Sequence, residues 1–251
     1  MVDIHSHILW GLDDGAETLE ESLAMLKLAA ESGTTDIVAT PHANSQYRYQ
    51  PEVIQQRIEE ASAGLSGQPR IHRGCDFHLS FDNVQDAMEN PARYAINGGH
   101  YLLVEFPNGP LAGMKRVLAT LLDCGLTPIM THPERQMQLR RINEEFLEWI
   151  QMGCLVQVTA QSLLGRFGKH SEESAWEMVR RGLVHFIASD AHDVTDRPPR
   201  LDLAFEALSK RVGESTAQLL SIENPQAVLS GERVRVNTPK PKPWYRWWSR
   251  P

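Results

Sequence analysis

Short runs rich in apolar and β-branched residues recur along the chain, and nearly every one ends in a residue able to bind a metal. This feature constrains the fold more than any other. The runs cover residues 2–8, 35–39, 70–75, 101–106, 127–131, 155–159 and 185–189. Between most of them lie segments with apolar residues at helical spacing: 20–32, 114–124, 143–152 and 172–181. Each of these is followed by a glycine (Gly33, Gly125, Gly153, Gly182), the residue on which helices commonly stop. Helix, glycine and strand in repetition is the pattern of βα units, which build a parallel sheet with helices outside it.

An open doubly wound sheet and a closed barrel both satisfy this order, and the polar residues separate them. His5 and His7 follow the core of the first run, Pro41 and His42 end the second, and Gly74, Cys75 and Asp76 end the third. Glu105 ends the fourth, His132 the fifth, and Asp190 and His192 the seventh. An open sheet places its ligand at one switch point and draws on few strands. A barrel gathers all its strand ends on one face, where its active site lies. The expectation is an α/β fold, a TIM-like barrel of about seven strands.

One such barrel accounts for most of the 251 residues. With 41% hydrophobic and 23% charged residues, the chain can bury a real core. No stretch approaches the roughly 18 apolar residues of a membrane span. The net charge of −7 disfavours nucleic acid, whose phosphates attract basic proteins. Cys75, Cys124 and Cys154 are too few for a disulfide scaffold and contain no C-x-x-C, which reads as a cytoplasmic protein. The first residues show no basic stretch followed by an apolar run, so no leader peptide is expected. Composition changes after Val236, giving a domain over 1–236 and a Pro-rich, aromatic-basic tail over 237–251.

Several motifs carry chemistry. In His5-Ser6-His7, alternate strand residues point the same way, so both imidazoles share a face and can grip a divalent metal. Taken alone, the pair reads equally well as two incidental histidines on a polar strand edge. Asp190-Ala191-His192 repeats the spacing, and its mixed oxygen and nitrogen donors suit Mn, Fe or Zn better than Ca. Glu105 interrupts an apolar run, and a buried carboxylate needs a cation or strong hydrogen bonds. Arg135, three residues beyond His132, is either a surface ion-pair partner or a clamp for phosphate. Of Asp13 and Asp14, one can be a ligand and the other a helix cap, with no chemical ground for choosing. His72, His78, His100, His170 and His185 stay unassigned, His78 and His100 being nearest to strand ends.

Other chemistries lack their residues. No cysteine has an arginine six positions on, and there is no phosphate-binding P-loop, G-x-G-x-x-G or G-x-S-x-G. The candidate ligands His5, His7, Asp14, His42, Asp76, Glu105, His132, Asp190 and His192 number nine. At about four to six donors per ion, they suit two or three ions with shared carboxylates. Clustered ions favour metal-assisted hydrolysis of a phosphate ester.

These motifs resemble the polymerase-and-histidinol-phosphatase (PHP) superfamily. The carrying residues are Asp3-Ile4-His5-Ser6-His7, Gly11 to Gly15, Ala39-Thr40-Pro41-His42, Thr131 to Arg135 and Ser189 to His192. The run Leu102 to Pro107 and the stretch Gln161 to Gly168 are similar to those of bacterial capsule and exopolysaccharide tyrosine-protein phosphatases. The resemblance spans Asp3 to about Arg200. It implies a distorted (β/α)7 barrel, the PHP fold, with three divalent ions, usually manganese. It further implies that His5, His7, Asp76 and Asp190 hold one ion, and Asp14, His42 and His192 another. Asp76, Glu105 and His132 would hold the third, with Asp76 bridging and Arg135 contacting phosphate. The implied substrate is phosphotyrosine on a membrane-associated tyrosine autokinase that controls polysaccharide export.

One position departs from the family pattern. Its bridging carboxylate is usually a glutamate in Gly-x-Glu, whereas this chain has Asp76 after Gly74-Cys75. The shorter side chain requires an inward shift of the strand end or leaves one ion more weakly held, and His78 is placed to contribute. Two other functions compete: a small-molecule phosphomonoesterase such as a histidinol-phosphate phosphatase, and a metal-stabilised module that docks a kinase with little catalysis. The tail places Trp244, Tyr245, Trp247 and Trp248 among Lys240, Lys242, Arg246 and Arg250. Such a mixture favours weak, salt-sensitive contact with an anionic membrane surface.

Overall fold

The computed structural model describes residues 1–65, 67–107, 109 and 111–236. The tail over 237–251 lies outside the described residues. The strands are β1 (Val2–Ser6), β2 (Asp36–Ala39), β3 (His42–Ala43), β4 (Arg70–Arg73), β5 (Asp76–His78), β6 (Tyr101–Glu105), β7 (Thr127–Thr131), β8 (Leu155–Thr159) and β9 (Phe186–Ala188). All pairings are parallel, in the orders β1-β2-β4 and β3-β5-β6-β7-β8-β9.

The two sheets are one barrel interrupted at the same level. Thr40 and Pro41 separate β2 from β3, and Gly74 and Cys75 separate β4 from β5. Proline has no amide to donate to the ladder, so pairing lapses there. The Gly74 amide still donates to Ala39 O at 2.9 Å, and the Asp76 amide to Pro41 O at 3.2 Å. A Cβ on Gly74 would lie 2.7 Å from Val38 Cγ1 and 3.0 Å from Thr40 Cγ2, so the kink has room only for glycine. Between β1 and the residues after β9, the His7 amide donates to Ala191 O and the Asp190 amide to His5 O, both at 2.8 Å. With that closure the strands form seven parallel runs around a ring, the TIM-like (β/α)7 barrel expected from the sequence.

Helices at Leu19–Glu31, Met114–Asp123, Glu144–Gln151 and Lys169–Arg180 occupy the four segments read as helical. The first is capped by Thr18, whose side chain accepts from the Glu21 amide. Further helices at Pro51–Ala63, Phe81–Glu89 and Asp202–Val212 complete much of the outer layer. None of the described helices is long and apolar enough to cross a membrane.

Two apolar clusters result. The larger joins strands to helices through residues such as Met25, Leu118, Phe146, Trp149 and Met178. The smaller includes Ile4, Val38, Leu103, Ile129, Leu155 and Phe186, together with Val228 and Val234 from the C-terminal segment. Tyr101, at the start of β6, donates its hydroxyl to Glu232 O at 2.7 Å and accepts from the Val234 amide at 3.2 Å. Asn224 bonds His185 O, Arg235 O and the Arg235 amide. These contacts close the base of the barrel. Toward the other end, the strand period of two that aligns Leu103 and Leu155 also aligns Glu105 and Gln157, and polar side chains replace apolar ones.

Candidate metal centre

All nine candidate ligands meet at the C-terminal mouth of the barrel. His5 and His7 approach with Nε2 atoms 3.3 Å apart, and Asp190 Oδ1 lies 3.5 Å from each. Asp76 Oδ2 is 3.6 Å from His5 Nε2 and 3.1 Å from His42 Nδ1. Glu105 Oε2 is 3.7 Å from His42 Nδ1. Asp14 Oδ1 lies 3.4 Å from His42 Nε2 and 3.5 Å from His192 Nε2. Donors bonded to a tetrahedral ion at about 2.0–2.2 Å sit about 3.3–3.6 Å apart. The side chains are therefore at ligand spacing.

Four overlapping sets can each converge on an ion: His7, Asp14, His42 and His192; His5, His132 and Asp190; His5, His7 and Asp76; and His42, Asp76 and Glu105. Among the described residues, donor atoms of His132 converge with those of His5 and Asp190, and those of His7 with Asp14, His42 and His192, beside the approaches of His5, His7 and Asp76 and of Asp76 and Glu105 that the resemblance implied. Asp76 enters two sets, as do His5, His7 and His42. His78 enters none among the described residues.

Burial and charge fit these side chains to cations. Asp76 is fully buried, and neither of its oxygens makes a hydrogen bond, nor does His42 Nδ1. Burial alone would raise the Asp76 pKa, but His5 and His42 hold it well below the usual range. Burial likewise opposes charge on His42, yet Asp14, Asp76 and Glu105 raise its pKa to about 11. Burial and the Asp76 charge push Glu105 up to about 7. For His132, burial and the neighbouring Arg135 depress the pKa to about 3, leaving a neutral imidazole. Cations binding here take the place of protons, so loading releases acid.

A second layer aims the ligands. Asp13 Oδ2 accepts from His7 Nδ1 at 2.6 Å and from the His42 amide at 3.0 Å, and its Oδ1 accepts from the Gly15 amide at 3.0 Å. The ambiguity of the acidic pair is thereby resolved. Asp14 faces the cluster, Asp13 supports two ligands, and the helix cap falls to Thr18. Gln157 Oε1 accepts from His5 Nδ1, and the Asp190 carbonyl from His192 Nδ1, both at 3.0 Å. In His5, His7 and His192, Nε2 is thus left facing the carboxylates. His132 and Asp190 have φ of 34° and 52°, left-handed values that non-glycine residues adopt at a cost.

Arg135 donates through Nη1 to Asp190 Oδ2, and Arg197 donates through Nη2 to the same oxygen at 2.6 Å. Arg197 was not singled out by the sequence. It lies in an irregular charged loop in which Asp193 Oδ1 accepts the amides of Thr195, Asp196 and Arg197. Gln157 was equally unassigned, and Asp13 reads from the sequence only as a ligand or a helix cap. An open groove of about 330 Å³ leads to the centre, lined by Asp14, His42, Tyr47, His78, Glu105 and Phe106 among others. Tyr47 stacks on His42 with ring centroids 6.0 Å apart. His100 lies at the opposite end of the barrel, its carbonyl accepting from the Thr127 amide.

The approach of Gly15 to His7 tests this arrangement. A Cβ there would lie 2.0 Å from the His7 carbonyl oxygen. Gly15→Ala is expected to push Asp13 and Asp14 out of register and lower the metal content by at least one equivalent without unfolding the barrel. Asp13→Ala should weaken metal affinity about 10- to 100-fold, the usual cost of losing a partner of a ligating histidine. Elemental analysis combined with circular dichroism checks both; full metal content in both variants contradicts the assignment.

The profile of the family for capsular polysaccharide synthesis, CpsB/CapC, matches residues 1–230. CapC of Staphylococcus aureus is 33% identical over 259 residues, covering 98% of this chain and 99% of its own. Tyrosine-protein phosphatase YwqE of Bacillus subtilis is 29% identical over 246 residues, with 96% of each chain covered. Among solved structures, one from the study of YwqE from Bacillus subtilis and CpsB from Streptococcus pneumoniae, described as unique metal-dependent tyrosine phosphatases, superposes with a TM-score of 0.87. Its identity is 30%, over 96% of this chain and 99% of that one. An organophosphorus hydrolase, at 12% identity and a TM-score of 0.58 over 91% of this chain and 92% of that one, shares the barrel alone. With its seven-run barrel, ligand-lined mouth and near-complete coverage of these relatives, the chain belongs to the CpsB/CapC family.

Proposed function

We propose that this chain is a metal-dependent protein-tyrosine phosphatase of capsular or exopolysaccharide synthesis, acting on phosphotyrosine in a membrane-associated tyrosine kinase. The observation that carries the reading is Asp76, buried and without a hydrogen bond among converging imidazoles and carboxylates, on a chain of which 96% is matched by a named tyrosine phosphatase. His5, His7, Asp14, His42, Asp76, Glu105, His132, Asp190 and His192 are the proposed ligands. These residues would hold about three divalent ions, manganese in preference to iron or zinc, and such ions would supply charge neutralisation for phosphate oxygens and a lowered pKa for a bound water.

The chain's own residues do the rest. Arg135, with Arg197 beside it, presents positive charge where phosphate oxygens enter, an arrangement suited to planar, forked recognition. A tyrosyl leaving group has a pKa near 10, so it departs with less acid assistance than an alkyl alcohol. Cys75 and Cys154 are buried and unsuited to act as nucleophiles. Burial and the neighbouring Asp76 push the Cys75 thiol well up, and burial pushes Cys154 up to about 12. Thiols so protonated are poor nucleophiles.

Chelation tests the reading. Stripped protein should hydrolyse a phosphotyrosine peptide at under about a hundredth of the loaded rate, as loss of the main electrostatic stabilisation implies. Added Mn²⁺ should restore it, and histidinol phosphate should be the poorer substrate. Full turnover by protein free of transition metal contradicts the proposal. A preference for histidinol phosphate favours the small-molecule phosphomonoesterase, and metal loading without turnover favours the docking module.

The aromatic and basic residues after Val236 support a cytoplasmic protein held weakly at the inner membrane. Arg235 and Val234 are fixed at the base of the barrel, at the end opposite the metal centre. Deleting residues 237–251 should leave peptide turnover nearly unchanged and reduce cosedimentation with anionic vesicles. Loss of turnover on deletion would instead make the tail structural.

A further inference from the structure

The stretch Gln161 to Gly168 contributes no metal ligand, yet it reaches the barrel mouth. It leaves β8 through the short helix Ala160–Leu163 and is tied down on several sides. The Leu164 and Arg166 amides donate to Gln161 O at 3.2 and 3.1 Å. Trp176 Nε1 donates to Leu163 O at 3.0 Å, and Gln161 Nε2 donates to Pro198 O, beside Arg197, at 3.3 Å. So anchored, the loop sets the Phe167 ring over two cations at once. The Arg135 guanidinium lies 4.2 Å from the ring centroid and that of Arg197 5.8 Å.

Those two guanidiniums converge on a single oxygen, Asp190 Oδ2. One carboxylate oxygen does not neutralise two cations, so they repel each other and tend to swing apart. An aromatic face carries negative charge density and attracts guanidinium groups within about 6 Å. It also fills the space into which a flexible arginine would otherwise rotate. Asp190 Oδ1 meanwhile faces His5 and His7, so a guanidinium fixed on Oδ2 is fixed relative to the metal centre.

We propose that Phe167 is a positioning residue that holds Arg135 and Arg197 together as one preorganised fork for the substrate phosphate. The inference rests on the phosphatase reading of the site. Phe167 faces the two arginines and belongs to none of the candidate ligand sets, so its removal weakens phosphate binding and leaves the metals in place. A ring of similar shape retains the effect, and an aliphatic side chain of similar size loses it.

The test is calorimetric titration of inorganic phosphate into full-length, Mn²⁺-loaded protein, with metal content measured on the same samples. Phe167→Leu should weaken phosphate binding about tenfold, equal to about 1.4 kcal/mol, with unchanged metal content. Phe167→Tyr should stay within about twofold of the native protein, because the ring face is kept. Native affinity in Phe167→Leu overturns the proposal. So does an equal loss in Phe167→Tyr, which would show that the ring face is irrelevant, or a loss of metal in Phe167→Leu, which would make the role structural. If native protein binds phosphate but does not hydrolyse a phosphotyrosine peptide, the phosphatase reading fails, while the comparison of variants still decides this proposal.

Discussion

Asp76 is buried between two imidazoles and makes no hydrogen bond, and the rest of the mouth is arranged around that fact. Left alone, such a carboxylate would take up a proton. Here His5 and His42 approach it from two sides, and Glu105 is pushed toward its neutral form by the same charge. Like charges crowded this closely need protons or cations between them. The shorter side chain of aspartate does not prevent this, because Asp76 Oδ2 reaches both imidazoles.

The backbone pays for the convergence at a few places. The break at Thr40-Pro41 turns His42 toward the centre, and the break at Gly74-Cys75 does the same for Asp76. Both occur at one level of the ring, so β3 and β5 pair again beyond them with His42 opposite Asp76. His132 and Asp190 take left-handed conformations at the ends of their strands. Below this level the barrel is filled with Leu103, Ile129, Leu155 and Phe186, and the C-terminal segment closes its base. A rigid apolar floor beneath a polar mouth lets nine separate side chains meet at ligand spacing without a loop having to order first.

Much of this was legible in the sequence, for physical reasons. Strand runs and their closing ligands are local patterns, so residues 127–131 and 155–159 appear with the boundaries expected for them. Helix Pro51–Ala63 was not read because it buries only Ile54, Ile58 and Ala61 in an otherwise polar stretch. The candidate ligands could be picked out because all but Asp14 stand at or beside a strand end. Their supports could not be: Gln157 looks like an ordinary strand residue, and Arg197 lies in a loop without periodicity. Asp13 and Asp14 are adjacent and chemically alike; only the fold shows that one faces His7 Nδ1 and the other His42 Nε2. The grouping of His132 with His5 and Asp190 depends on ring closure between the first and last strands, a long-range contact that no local pattern encodes.

The most direct test of the central claim is anomalous X-ray scattering from Mn²⁺-loaded crystals, which locates the ions independently of activity. The account predicts manganese peaks on both sides of Asp76, one shared with His5 and His7 and one with His42 and Glu105. A further peak is predicted among His7, Asp14, His42 and His192. Peaks confined to the surface, or a fully loaded protein in which Asp76 touches no ion, would contradict it.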